Sequence, residues 1–159
     1  MIFADHQNKA DVAAAKAREW FDQQKIDMLM GGTNSGVNLA LAGIAAEKKK
    51  VFIAVGAATS DLTGAQCSPY TVHWAYDTVA LARGTGSAIV QAGGKSWYFL
   101  TADYAFGHAL ERGRDLLLRH DAVQQPVGHV LAADAQGGTV FHEADVVDVG
   151  HLGAAHALV

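Results

Sequence analysis

The chain has one cysteine in 159 residues, Cys67, so no internal disulfide can form. It also lacks any apolar run approaching the ~20 residues that span a bilayer as a helix. Its start, Met1-Ile2-Phe3-Ala4-Asp5, has neither the basic n-region nor the long apolar h-region of a secretory leader. Basic charge is scarce. Twelve Lys and Arg stand against sixteen Asp and Glu, a net charge of −4, which argues against nucleic acid as a partner. The one basic cluster, Lys48-Lys49-Lys50, falls at a helix end, where it complements the helix dipole.

Several signature motifs are missing as well. The glycine-rich loop at residues 31–36 lacks the lysine of a P-loop and the G-x-G-x-x-G of a dinucleotide turn. Gly84-Thr85-Gly86 sits inside a helical pattern and not after a strand. Ser35, Ser60 and Cys67 could be paired with His73 or His108 as nucleophiles, yet none lies in a G-x-S-x-G elbow. Five of the eight histidines (His120, His129, His142, His151 and His156) crowd the last forty residues, but their spacing matches no zinc motif. The reading therefore expects no catalysis, no metal and no cofactor.

What is present is a design repeated three times. An apolar run, VFIAV (residues 51–55), empties into Gly56-Ala57-Ala58-Thr59-Ser60-Asp61. Upstream, IDMLM (residues 26–30) runs into Gly31-Gly32-Thr33-Asn34-Ser35-Gly36, and downstream KSWYFL (residues 95–100) runs into Thr101-Ala102-Asp103-Tyr104. Each run reads as a buried strand, and each is followed by a helical pattern. Small residues leave backbone amides accessible, and ligands of open α/β sheets sit at the carboxyl ends of strands. Hydroxyls beside helix N-terminal amides suit an anion such as a carboxylate. Ser35, Thr59 and Tyr104 are the side chains so placed.

The remaining pattern completes an α/β reading. Residues 2–4 are a predicted strand, followed by a helix capped at Asp11, with Ala13, Ala17, Trp20, Phe21 and Gln24 along one face. The next helix places Val37, Leu41, Ile44 and Ala45 on one side. YTVHW (residues 70–74) is a further strand. Helices follow at residues 78–92, weakened by Gly84 and Gly86, and at 104–120. Strands alternating with helices imply a parallel sheet with right-handed crossovers. Beyond Asp121 the pattern is irregular, with residues 127–131 and 144–149 as candidate strands.

Three longer runs carry a resemblance. FADHQNKADVAAAKAREWFDQ, GAATSDLTGAQCSPYTVHWAYDT and GGKSWYFLTADYAFGHALERG, in that order, resemble the periplasmic solute-binding proteins of branched-chain amino acid ABC transporters, over roughly residues 2–120. The resemblance implies an α/β fold of the type I periplasmic-binding kind, with parallel sheets and flanking helices. It implies a non-enzymatic, periplasmic protein that closes two lobes on an amino acid or related carboxylate, aromatic acids included, and docks on a membrane permease. A ligand-sensing domain of the same fold is the alternative.

By the same resemblance, residues 1–76 correspond to part of the first lobe, 77–120 to the start of the second, and 121–159 to an atypical tail. Ligand contacts map onto Asn34, Ser35, Ala57, Ala58 and Thr59 from the first lobe and Tyr104 from the second. Asn34 departs from the hydroxyl-rich form of its loop. The family's first βα unit has no counterpart here, so the expected fold is incomplete. In a 2-1-3-4-5 strand order that unit's strand lies between residues 2–4 and 26–30, in the centre of the sheet. The expected consequence is two strands with unpaired backbone groups, marginal stability and weak binding.

Overall fold

The computed structural model describes residues 1–93, 97–120, 127–132 and 156–158. These fall into two compact units, Met1–Asp77 and Thr78–Val159.

In the first unit the chain runs α1 (Ala10–Asp22), β1 (Met28–Gly31), α2 (Ser35–Lys48), β2 (Val51–Ala54), a 3-10 turn (Ser60–Leu62) and β3 (Thr71–His73). The strands form a parallel sheet in the order β1-β2-β3. Leu29 lies opposite Phe52 and Gly31 opposite Ala54, so loops leaving β1 and β2 start level with each other. Ala13, Ala17 and Phe21 recur every four residues along α1 and are buried, as the periodicity predicts. They meet Leu29, Val37, Leu41, Ile44, Ala45 and Phe52 in one core. Phe52 has no exposed surface, and burial of such a side chain contributes about 1.5–3 kcal/mol.

Three expectations change here. Residues 2–4 are not a strand, because the described residues offer them no ladder partner. Nor are β1 and β2 buried on both faces. β1 alternates exposed and buried, and Met28, Met30, Val51 and Val72 all remain exposed on the side away from the core. Parallel sheets are normally covered on both faces. Here α1 and α2 pack in one core against the same face. The N-cap of α1 is Lys9 and not Asp11, which sits in the first turn, where its charge still favours the helix.

The end of α2 behaves as its lysines suggest. Lys49 takes the left-handed cap conformation, Lys48 Nζ pairs with Asp22 of α1 at 2.6 Å, and Lys50 Nζ pairs with Asp27 at 2.8 Å. These hydrogen bonds hold both carboxyl groups below their usual pKa.

The second unit contains α3 (Thr78–Gln91), β4 (Trp97–Ala102), α4 (Ala105–His120), β5 (Val127–Ala132) and β6 (His156–Leu158). Its sheet is also parallel, in the order β5-β4-β6. β4 runs two residues further than the pattern indicates, through Thr101 and Ala102, and β6 was not foreseen. The candidate strand at 144–149 lies outside the described residues. Thr78, Ala82 and Gly86 form a small, buried stripe on α3. A β-carbon added at Gly113 of α4 would stand 3.1 Å from Ala82 Cβ. Gly86 thus weakens α3 locally but shares a face on which α4 packs closely. Among the described residues no helix is long and apolar enough to cross a membrane.

Candidate functional site

The candidate site of the first unit is built at the carboxyl ends of its three strands. β1 ends at Gly31 because nothing larger fits: an added β-carbon would stand 2.1 Å from Asn38 Oδ1 and 2.7 Å from Phe52 Cζ. The chain then turns through Gly32 and Thr33 to Asn34, whose side chain accepts a hydrogen bond from the Val37 amide at 3.0 Å and caps α2. Asn38, fully buried one turn on, donates through Nδ2 to the carbonyls of Gly32 at 3.0 Å and Asn34 at 2.8 Å. The loop is therefore fixed from inside the helix it precedes.

Ser35 is the first residue of α2. Its side chain is buried, and its Oγ has no hydrogen-bond partner among the described residues. Buried hydroxyls without partners are costly, so each calls for an explanation. The first amides of a helix also lack intrahelical acceptors, and the helix dipole there favours negative charge. No acidic residue stands in the first turn of α2 to neutralise that field.

The loop after β2 lies against this one. A β-carbon on Gly56 would stand 3.0 Å from Thr33 Cγ2 and 3.5 Å from the Gly32 carbonyl oxygen. Beyond Gly56, Ala57, Ala58 and Thr59 are all buried. Thr59 caps the 3-10 turn, accepting from the Asp61 amide at 3.3 Å, which leaves its hydroxyl proton available to donate. From the end of β3, His73 Nε2 reaches the Ala57 carbonyl at 2.6 Å. All three strand ends of this unit thus meet at one place.

Asn34, Ser35, Ala57, Ala58 and Thr59 belong to these adjoining loops. Tyr104 belongs to the other unit, just before α4. Its amide donates to the Ala102 carbonyl at 2.8 Å, its own carbonyl accepts from the His108 amide at 3.1 Å, and its ring lies 5.9 Å from Phe106. Gly107 follows because a β-carbon there would stand 1.9 Å from the Ala102 carbonyl oxygen. The histidines considered as bases are engaged elsewhere: His73 holds Ala57, and His108 Nε2 lies 2.9 Å from Asp103 Oδ1. Cys67 is exposed.

Sequence reasoning missed Asn38 and the positioning contact of His73. A signal for the first was available, an asparagine on the otherwise apolar face of α2. The second depends on residues 16 positions apart, and no local pattern reveals it.

The sequence profile of periplasmic binding proteins matches residues 1–145. The chain belongs to this family. The match runs past His120, where the motif resemblance ends. A periplasmic binding protein from Burkholderia mallei is 59% identical over 79% of this chain and 33% of its own, with a TM-score of 0.73. An ABC transporter solute-binding protein from Rhodopseudomonas palustris, solved with benzoate, is 25% identical over 83% of this chain and 36% of its own, with a TM-score of 0.72. A branched-chain amino acid ABC transporter ligand-binding protein from Burkholderia xenovorans is 29% identical over 79% and 33%, with a TM-score of 0.63. The chain thus spans about a third of the length of these relatives. No curated protein matches it.

Proposed function

We propose that this chain carries part of the ligand cleft of a periplasmic solute-binding protein. It binds a small carboxylate, either an amino acid or an aromatic acid, and delivers it to the membrane permease of an ABC importer without chemistry. Residues 1–76 supply part of one lobe and residues 77–120 begin the other. In this reading Asn34, Ser35, Ala57, Ala58 and Thr59 form one wall, and Tyr104 closes from the opposite lobe.

The observation that carries the proposal is the buried, unpartnered hydroxyl of Ser35 at the N-terminus of α2. A carboxylate there would accept from that hydroxyl and from the first amides of the helix. The benzoate held by the Rhodopseudomonas relative supports the ligand class.

The test is calorimetric titration of the full-length protein with benzoate and with leucine, in wild type and Ser35→Ala. A charge-assisted hydrogen bond contributes about 1.5–3 kcal/mol, so the variant should bind roughly ten- to a hundredfold more weakly. Its melting temperature without ligand should not fall, because the hydroxyl makes no bond among the described residues. Equal affinity of wild type and variant would refute the role of Ser35. Failure of both compounds to bind would remove the ligand class.

A further inference from the structure

The ladder of β4 with β5 runs to the last residue of the strand, Ala102, which lies opposite Ala132. α4 begins at Ala105, so Asp103 and Tyr104 alone must turn the chain from strand into helix. Gly107 makes so tight a turn possible. An added β-carbon there would collide with the Ala102 carbonyl oxygen, because the first turn of α4 sits against the end of β4.

The backbone holds Tyr104 on both sides. Its amide donates to the Ala102 carbonyl at 2.8 Å, and its carbonyl accepts from the His108 amide at 3.1 Å. Side chains then close the turn: His108 Nε2 lies 2.9 Å from Asp103 Oδ1. A carboxylate oxygen only accepts, so the ring donates through Nε2. This bond joins residues five apart, with Tyr104 between them. The tyrosine ring lies 5.9 Å from that of Phe106, which belongs to the same turn. Tyr104 is only half-buried, so core packing does not lock its ring. Its orientation depends on the turn that carries it.

Exposed pairs contribute little to global stability, and the side chains of His108 and Asp103 are 43% and 54% exposed. What such a pair can still do is select one arrangement of a short turn. We propose that His108 is a positioning residue for Tyr104: by holding Asp103 it keeps the tyrosine in one orientation before ligand arrives. A ring ordered beforehand loses less freedom on binding, which raises affinity without any new contact. The inference deepens the carboxylate reading and rests on the role given there to Tyr104.

The experiment uses the full-length protein with isotope-labelled tyrosine rings observed by NMR, and Tyr104→Phe identifies the Tyr104 signal. Without ligand, His108→Ala should move that signal toward the position of a free tyrosine. His108→Gln, which retains a side-chain N–H donor, should restore it. Asp103→Ala should reproduce the effect of His108→Ala, so the result does not depend on one variant folding. The melting temperature should barely change in any of them. In calorimetric titrations with benzoate and leucine, His108→Ala should weaken binding about two- to fivefold. The same substitution made in Tyr104→Ala should weaken it no further. An unmoved ring signal in His108→Ala overturns the proposal, as does a signal that His108→Gln fails to restore. An equal loss of affinity with and without the tyrosine also overturns it. If neither compound binds the unaltered protein, the carboxylate reading falls, while the ring signals still decide whether His108 positions Tyr104.

Discussion

His73 Nε2 lies 2.6 Å from the carbonyl oxygen of Ala57, so the end of β3 holds the loop that leaves β2. Because a carbonyl oxygen only accepts, Nε2 is the donor in this pair. The contact fixes the position of Ala57, Ala58 and Thr59 without His73 itself belonging to the loop. Replacing His73 with Ala should therefore weaken ligand binding by the full-length protein about five- to tenfold, the equivalent of one hydrogen bond of about 1 kcal/mol. His73→Gln, which retains a donor, should recover part of that loss. Calorimetry on both variants is the check, and an Ala variant with wild-type affinity would show that the loop holds itself.

Glycines separate sharply by surroundings. Gly31→Ala forces a β-carbon to 2.1 Å from Asn38 Oδ1 and 2.7 Å from Phe52 Cζ, in the middle of the core. Overpacking of this kind costs about 1–3 kcal/mol. Gly84→Ala on α3 meets nothing within 4 Å and removes a helix-interior glycine, which stabilises by up to ~1 kcal/mol. Urea midpoints of the two variants should move in opposite directions. Movement in the same direction would contradict the packing described for one of them.

Asn34→Ala removes the side-chain cap of α2 and should destabilise the first unit by about 0.5–2 kcal/mol, whereas Asn34→Ser should retain the cap. Thermal unfolding without ligand reads this directly. Loss of stability in both variants would mean that Asn34 acts through something other than its cap.

Acid dependence follows from two surface pairs. Hydrogen bonds from Lys48 to Asp22 and from Lys50 to Asp27 hold both carboxyls below their usual pKa, with desolvation opposing. A carboxyl depressed in the folded state stabilises it fully above the unfolded value of about 3.9, and the gain disappears as pH falls through the lower folded value. Asp22→Asn and Asp27→Asn should thus be slightly destabilising at neutral pH and indistinguishable from wild type near pH 2. The neutral-pH effect should shrink with added salt, since both aspartates are exposed. Paired denaturation curves at the two pH values test the sign.

Residues 1–159 alone should bind benzoate or leucine more weakly than micromolar, because micromolar affinity needs about −8 kcal/mol and the relatives use chains more than twice as long. The bare face that carries Met28, Met30, Val51 and Val72 should also drive association. Met28→Lys with Val72→Lys should increase the soluble monomer seen by light scattering. A cooperative melt of the unaltered chain together with micromolar binding would refute both statements.

Local patterns in the sequence carry most of the fold. The four-residue spacing of Ala13, Ala17 and Phe21 specifies the buried side of α1, and the apolar runs mark β1, β2 and β4, because periodicity reports which side must leave water. Small residues and hydroxyls after those runs marked Ser35, Thr59 and Tyr104 as candidates, and the three long motifs identified the family and added Ala57.

Pairing and coverage had to come from the tertiary structure. Residues 2–4 have the composition of a strand, but a strand exists only where a neighbour accepts its hydrogen bonds. Likewise, residues 26–30 and 51–55 look doubly buried, yet the placement of α1 and α2 leaves one face open. The grip of Asn38 on Gly32 and of His73 on Ala57, and the lone hydroxyl of Ser35, are distances between groups that no spacing rule connects. The sequence by itself determined the family, the α/β alternation and the loops that carry the site. Only the tertiary structure decided which face stays exposed and which groups meet, because hydrogen-bond partners and burial belong to the folded whole and not to a segment.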